Sequence, residues 1–269
     1  MTSSADVQSL SGSEPPRSNH STTVRVSTPS NTPVNTDPTE ARSRDGHPKV
    51  EVPEFVREVV EEVAFQARQD AKVDKRSGVS QRLPISLLEN VVSNAERRAI
   101  LAGEPTVVPR ITDIYAALPA ITGKFELEYE GELKGADNVA RELIRGAVST
   151  VFDGHFPGAD FRQIIDWFDL GGSLQVDDTL ASPELLARTG EVQGLHDTAR
   201  TIAQKRAADA QLAAAVDFVL EGLYAQRKIS RSVEGQFQAA EQVKRAPRTV
   251  DQLTERDLPL SGSKKKYYN

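Results

Sequence analysis

The chain has 269 residues, of which 27% are charged and 38% hydrophobic, and its formal net charge is −6. This length permits one or two domains with a sizeable core, and the acidic balance argues against general nucleic-acid binding. The absence of cysteine excludes disulfides, zinc thiolate sites and a cysteine nucleophile. Because no apolar run reaches the roughly 20 residues of a membrane helix and the N-terminus lacks a signal-peptide core, we expect a cytoplasmic protein with no membrane partner.

The composition divides the chain into four parts. Residues 1–49 are rich in Ser, Thr and Pro, and the first aromatic residue is Phe55, so this segment predicts a disordered leader. Helical periodicity in the middle predicts a mainly α fold, with a lid-like helical bundle at residues 50–122 and a second helical region at residues 123–228. Polar sequence with glycine and proline predicts a flexible basic tail at residues 229–269.

Three helices are predicted in the lid-like part. The first begins near Pro53 and ends near Ala71, and the second extends from Pro84 to a left-handed cap at Gly103. Thr112 is the predicted N-cap of the third. The second helix has its predicted apolar face on Ile85, Leu88, Val92, Ala95 and Ala99, widened by Leu87 and Val91. Arg97 and Arg98 lie near its C-terminus, where the helix dipole favours cations.

The second region begins with a segment that the pattern leaves open. Apolar residues alternate with glutamates from Phe125 to Glu132, which indicates a half-exposed strand, but the residue types also favour a helix. Helices are predicted over residues 137–152 and 161–168, and a short extended piece over residues 174–178. Ser182 and Pro183 indicate a further helix start, and one long helical run is predicted over residues 192–224.

Arg82 is the candidate functional residue. It lies just before the second helix, in the loop Gly78-Val79-Ser80-Gln81-Arg82. A helix N-terminus favours anions, and a guanidinium adds a bidentate grip on phosphate. The alternative is an ordinary solvated loop arginine. The basic connector residues Lys72, Lys75 and Arg76 either contribute to the same phosphate site or form a solvated loop.

The loop and the segment Val108-Pro109-Arg110-Ile111-Thr112-Asp113-Ile114 together resemble the C-terminal lid of AAA+ ATPases, in the magnesium-chelatase and MoxR-like branch. In that family the arginine of a Gly-x-Ser-x-Arg motif is the second sensor, which contacts the γ-phosphate of ATP. The resemblance implies that Arg82 is the sensor, with Gly78 permitting the turn and Ser80 shaping it. It also implies ATP and magnesium as cofactors, and a ring of AAA+ core subunits as partners.

The sequence lacks the Walker A phosphate loop, since its only Gly-Lys pair, Gly123-Lys124, is followed by Phe125. We therefore expect no ATP hydrolysis from this chain alone, and a nucleotide-binding core supplied elsewhere. A second hypothesis is a non-enzymatic α-helical interaction module. A third is a helical enzyme with a carboxylate metal site, for which Glu126–Glu132 and Asp177-Asp178 are the candidates. The four scattered histidines do not favour a histidine metal site.

Overall fold

A computed structural model describes residues 48–203, 207–232 and 234–240 of the chain. These residues form ten helices and five short strands, which confirms the predicted mainly α fold. The predicted disordered leader, apart from Pro48 and Lys49, lies outside the described residues, as do residues 241–269 of the predicted tail. Within the described ranges, none of the helices combines the length and apolar character needed to cross a bilayer.

The helices are α1 Glu54–Gln69, α2 Leu83–Ala102, α3 Ile111–Ala116, α4 Leu118–Thr122, α5 Tyr129–Lys134, α6 Ala136–His155, α7 Arg162–Asp169, α8 Ser182–Thr189, α9 Leu195–Ile202 and α10 Asp209–Ala225. The strands are β1 Lys49–Val50, β2 Thr106–Val107, β3 Leu174–Gln175, β4 Ile229–Arg231 and β5 Gln236–Ala239. Strands β1 and β2 pair in parallel, and the order β3-β5-β4 forms a three-stranded antiparallel sheet.

Helix α10 is the centre of the core. It is buried around almost its whole circumference and packs against α3, α6, α8 and α9, as a helix that is apolar on all sides must. Phe218 on α10 stacks on Phe55 of α1 with ring centroids 4.6 Å apart. Gly222 is required where α6 crosses α10, because a β-carbon there would overlap the ring of Phe152. The central helix therefore binds elements from both predicted helical regions.

Most buried apolar side chains before and after residue 122 belong to one continuous cluster, and Ala95, Ala99 and Val107 form a second, small one. Helices α1 and α4 both pack on α6, so the predicted boundary near residue 122 is not marked by a gap in the core. The division of the chain into a lid-like bundle and a second region stays a prediction. What the packing establishes is that the loop before α2 is anchored to a large, shared core.

Two details of the lid-like part differ from the prediction, and a third agrees with it. The face of α2 that is buried consists of Leu83, Leu87, Val91, Ala95, Arg98 and Ala99. It is thus rotated from the predicted stripe, and Ile85 is exposed, because the i, i+4 series that starts at Leu83 faces α1 and α3. Helix α3 has Arg110 and not Thr112 at its N-cap, since Asp113 Oδ2 accepts the Arg110 N–H at 2.8 Å. Gly103 has the predicted left-handed conformation, with φ of 68°.

The second region also contains corrections. The segment Phe125–Glu132, which the sequence pattern left undecided between strand and helix, forms an isolated bridge between Leu127 and Val73. The short helix α5 follows this bridge. The predicted long helix over residues 192–224 is two helices, α9 and α10, because Ala203 after α9 is extended. The predicted tail begins with strands β4 and β5, whose side chains Ile229 and Phe237 are buried. Only residues beyond 240 can therefore belong to a tail.

Candidate functional site

The Gly78–Arg82 loop leads directly into α2, as the sequence predicted. Gly78 has φ of +71°, a left-handed conformation that side-chain-bearing residues rarely adopt. The N–H of Ser80 donates to the carbonyl of Lys124 at 3.1 Å, which fixes the loop to the chain after α4. The Ser80 carbonyl accepts the N–H of Leu83 at 3.0 Å, and the Ser80 hydroxyl accepts the N–H of Arg82 at 3.3 Å. Gly78 and Ser80 therefore shape the turn that presents Arg82.

Arg82 occupies the N-cap position of α2 and its side chain is exposed. Across the described parts of the chain, its guanidinium forms neither an ion pair nor a side-chain hydrogen bond. An unpaired guanidinium at the start of a 20-residue helix adds its charge to the positive end of the helix dipole. The position can therefore receive an anion without first breaking a native contact.

Arg82 lines an open polar cleft of about 550 Å³ together with Ser77, Gly78, Ser80 and the segment 123–126. Lys124 is a second cation in this lining. Glu126 is the carboxylate of the cleft, and one of its oxygens accepts the Ser77 hydroxyl at 2.5 Å. The cleft thus combines two cations with one hydrogen-bonded carboxylate, which suits one terminal phosphate group better than a whole nucleotide.

The basic connector before the loop does not join this cleft. Lys72 lies between Asp70 and Glu142, with Nζ–O distances of 3.5 and 3.7 Å. Lys75 and Arg76 are exposed and absent from the lining. Asp74 accepts the N–H of Arg76 at 2.7 Å, and this bond lowers the pKa of the Asp74 carboxyl. The connector is therefore a structured turn. The prediction that Lys72, Lys75 and Arg76 contribute to the phosphate site is wrong in this structure.

The segment Val108–Ile114, which follows α2 and carries part of the AAA+ resemblance, forms a buried polar network with the end of α2. Arg98, near the C-terminus of α2, is buried, and its Nη1 lies 2.5 Å from Asp113 Oδ1. Its other terminal nitrogen donates to the carbonyl of Val108 at 2.9 Å. Burial raises the pKa of Asp113, although Arg98 and Arg110 favour its ionised form. These bonds fix the end of α2 against the start of α3.

Arg110 extends the network toward α8. It is completely buried, and its two terminal nitrogens donate to the Leu180 carbonyl and the Ser182 hydroxyl, both at 2.7 Å. Ser182 in turn donates to Glu104 through both its backbone N–H and its hydroxyl. Burial, with a contribution from the Arg98 charge, lowers the pKa of Arg110 to about 10. Arg110 is therefore a structural connection between α3 and α8, remote from the cleft's lining.

Two buried carboxylates on α10 were missed from the sequence. Asp217 accepts the N–H of Thr112 at 3.0 Å, and Glu221 Oε1 lies 3.1 Å from Arg231 Nε. The Glu221–Arg231 contact is close but not aligned as a hydrogen bond, and burial raises the pKa of Glu221 to about 8. The sequence contained a signal for these two residues, because they are acidic side chains one turn apart inside the apolar run of α10. Their partners could not be found from the sequence.

Asp177 and Asp178, proposed as metal ligands in the hypothesis of a helical enzyme, contact other residues of the chain. Asp177 accepts from the backbone and side chain of Thr179, and Asp178 lies 3.7 Å from Arg97. Of the two described histidines, His155 contacts Glu58 and His196 contacts Thr189. Within residues 48–203, 207–232 and 234–240, no group of three acidic or histidine side chains is placed to hold a metal ion.

Comparisons of the chain with protein-family models, curated proteins and solved structures found no match. The resemblance to an AAA+ lid therefore depends on the residues of the Gly78–Arg82 loop and of the Val108–Ile114 segment. It remains a hypothesis about function.

Proposed function

We propose that this chain is the C-terminal lid portion of a magnesium-chelatase or MoxR-like AAA+ ATPase. In this proposal Arg82 is the second sensor, and Gly78 and Ser80 form the turn that presents it. The nucleotide-binding core belongs to the complete protein or to a partner subunit. The complex would carry out ATP-dependent remodelling or metal insertion.

The single observation that supports the proposal best is the state of Arg82. Its side chain is exposed at the start of α2, next to Lys124 in the polar cleft, and it has no counter-ion among the described residues. The position of this guanidinium, beside Lys124 and at the positive end of the α2 dipole, is what favours a phosphate contact over an ordinary solvated arginine. An arginine that must contact a phosphate on another domain has to remain free until that domain closes.

The described residues fit only part of an ATP site. Arg82 and Lys124 can bind one terminal phosphate, whereas the chain has no phosphate loop for the rest of the nucleotide. Bound ATP with magnesium would supply the γ-phosphate and the energy of its transfer. This chain would supply the charge of Arg82 and, through the core on which α2 packs, a rigid body that moves with it.

The proposal predicts that Arg82→Ala lowers ATP turnover by about tenfold or more in a complex reconstituted with the AAA+ core, because a charge contact to the transferred phosphate is lost. The isolated variant should keep its free energy of unfolding to within about 0.5 kcal/mol, since the Arg82 side chain has no ion pair or hydrogen bond to any residue that the structure describes. Arg68→Ala is the matched control, because Arg68 is also exposed and unpaired in the described structure but lies on α1, away from the cleft. Equal turnover in the Arg82 variant and in the wild type would count against the sensor role.

A second test needs only the gene. We expect the DNA upstream of Met1, read in all frames, to encode a Walker A phosphate loop. In a separate assay, we expect the purified chain alone to hydrolyse no ATP. A neighbourhood without such a reading frame favours the alternative function. Turnover that survives removal of contaminating ATPases would contradict the assignment of the core to other sequence.

The alternative is a non-enzymatic α-helical interaction module, and exposed apolar side chains favour it. Tyr129 and Leu133 are each 72% exposed and lie one turn apart on α5, while Leu101 at the end of α2 is 75% exposed. Such side chains are typical of contact surfaces. A partner complex that forms without nucleotide and tolerates Arg82→Ala would support this alternative over the sensor.

A further inference from the structure

A second cavity is lined by residues of α3, α5, α6, α10 and β4. Its volume is about 330 Å³, at the lower end of the range for small-molecule sites. Its lining is Tyr115, Lys134, Asn138, Arg141, Glu142, Arg145, Tyr224, Arg231 and Ser232. None of these residues lines the Arg82 cleft. The two places are therefore separate in the structure.

The charge of this cavity is opposite to that of the chain. Four cations and one carboxylate line it, in a protein whose net charge is −6. The carboxylate, Glu142, is already committed to Lys134 at 2.5 Å, and this contact lowers the pKa of Glu142. Arg141 and Arg145, one turn apart on α6, form no ion pair with any described residue. Within the described structure these two guanidinium groups therefore lack a close ion-pair partner, although the charge of Arg145 is felt by Glu142 in the same lining.

Arg231 is held in place at the base of the cavity. Its guanidinium carbon lies 5.1 Å from the ring centroid of Tyr115 and 5.6 Å from that of Phe237, so it makes cation–π contacts with both rings. Behind it is the buried Glu221, 3.1 Å from Nε. The two terminal nitrogens of Arg231 have no hydrogen bond within the described structure. A fixed guanidinium with free terminal nitrogens is the arrangement that binds an oxyanion in two places.

The hydroxyl of Tyr115 is a second, independent observation. It is shielded from solvent yet has no hydrogen-bond partner in the described structure. A buried hydroxyl without a partner is costly, so such a group usually has a ligand or water that completes it. Burial and the nearby Glu221 raise the pKa of Tyr115, which therefore stays a neutral donor.

We propose that this cavity is a binding site for a small phosphorylated molecule. Arg141, Arg145 and Arg231 would bind the phosphate oxygens, with hydroxyl and amide donors from Tyr115, Tyr224 and Asn138 around them. Three guanidinium groups offer more donors than the two oxygens of a carboxylate can accept, whereas a phosphate monoester has three terminal oxygens and nearly two charges at neutral pH. The cavity is half open, and its volume of about 330 Å³ fits a small molecule.

The experiment is calorimetric titration of the full chain with inorganic phosphate, against chloride at equal ionic strength and against acetate. We expect saturable binding of phosphate only, at one site per chain. Arg141→Gln and Arg145→Gln should each weaken it by about tenfold, the loss of one charge-assisted contact. Arg141 is exposed, so its replacement tests binding with little risk to folding. Arg68→Gln is the matched control and should leave the affinity unchanged.

Arg82→Ala separates this proposal from the nucleotide sensor, because phosphate could also bind in the cleft. Retained affinity in Arg82→Ala with lost affinity in the Arg141 and Arg145 variants supports the cavity. The opposite pattern assigns the bound phosphate to the cleft and overturns the inference. Binding that chloride or acetate reproduces, or that is undiminished in both α6 variants, overturns it as well.

Discussion

Replacement of Glu221 by glutamine should change how the stability of the protein depends on pH. Glu221 is completely buried in α10, and among the described residues Arg231 is its ion-pair partner, while the charge of Asp217 also raises its pKa. Because the Arg231 N–H is not directed at a Glu221 oxygen, the contact does not compensate the loss of water around the carboxylate. The folded protein therefore holds a proton on Glu221 up to a pKa of about 8, compared with an ordinary value of 4.5.

The magnitude follows from this difference in pKa. Between the two values the folded state binds a proton that the unfolded chain releases, so the stabilising contribution is complete below pH 4.5 and is lost as the pH rises to about 8. Each pH unit in this window removes about 1.4 kcal/mol from the free energy of unfolding. Between pH 6.5 and 8 the loss is roughly 1.5 to 2 kcal/mol, allowing for the titration of the folded state near its own pKa.

Other titratable groups affect the choice of the pH range for this measurement. The pKa of His196 is lowered by burial, so its effect has the opposite sign and falls below pH 6.5. Asp217 also has a raised pKa and contributes a slope of the same sign as Glu221. The difference between the wild type and the variant, measured above pH 6.5, therefore reports Glu221 together with its effect on the neighbouring Asp217.

Urea denaturation at half-unit steps from pH 6.5 to 8.5 measures the effect. We expect Glu221→Gln to be nearly as stable as the wild type at pH 6.5, where both side chains are neutral, and to gain on it by about 1.5 kcal/mol at pH 8. Glu130→Gln, at an exposed position of α5, should keep the wild-type slope. Parallel profiles for the wild type and Glu221→Gln would refute the argument, because they would mean that Arg231 keeps Glu221 ionised.

Three further predictions concern the free energy of unfolding in urea. Asp113→Asn leaves the buried Arg98 without its carboxylate and should cost about 3 kcal/mol or more; a cost below 1 kcal/mol would mean that the network is dispensable. Gly78→Ala should cost only about 1 kcal/mol, because the φ of +71° is unfavourable but the added β-carbon meets no atom within 4 Å; a larger loss would reveal a hidden clash. Phe237→Ala should cost about 3 to 5 kcal/mol, whereas no cost would show that β5 does not belong to the core.

The sequence alone determined the helical class and most helix ends. Periodic apolar residues in α1 and α6, the proline near the start of α2 and the glycine at its end are local signals, and local signals decide where a helix begins and stops. The Gly78–Arg82 loop was also predictable, because Gly78 permits the left-handed turn and Ser80 bonds its own neighbours. In this sense the candidate sensor was visible before any packing was known.

Only the tertiary structure decided which face of α2 is buried and which charges are paired. Leu83 rather than Ile85 faces the core, because α1 and α3 lie on that side, and Arg98 and Arg110 are buried because their partners come from α3 and from around the start of α8. The strand β5 likewise forms only where β3 and β4 are available to pair with it. Each of these outcomes depends on residues far apart in the chain, and such contacts leave no periodic trace in the sequence around either partner.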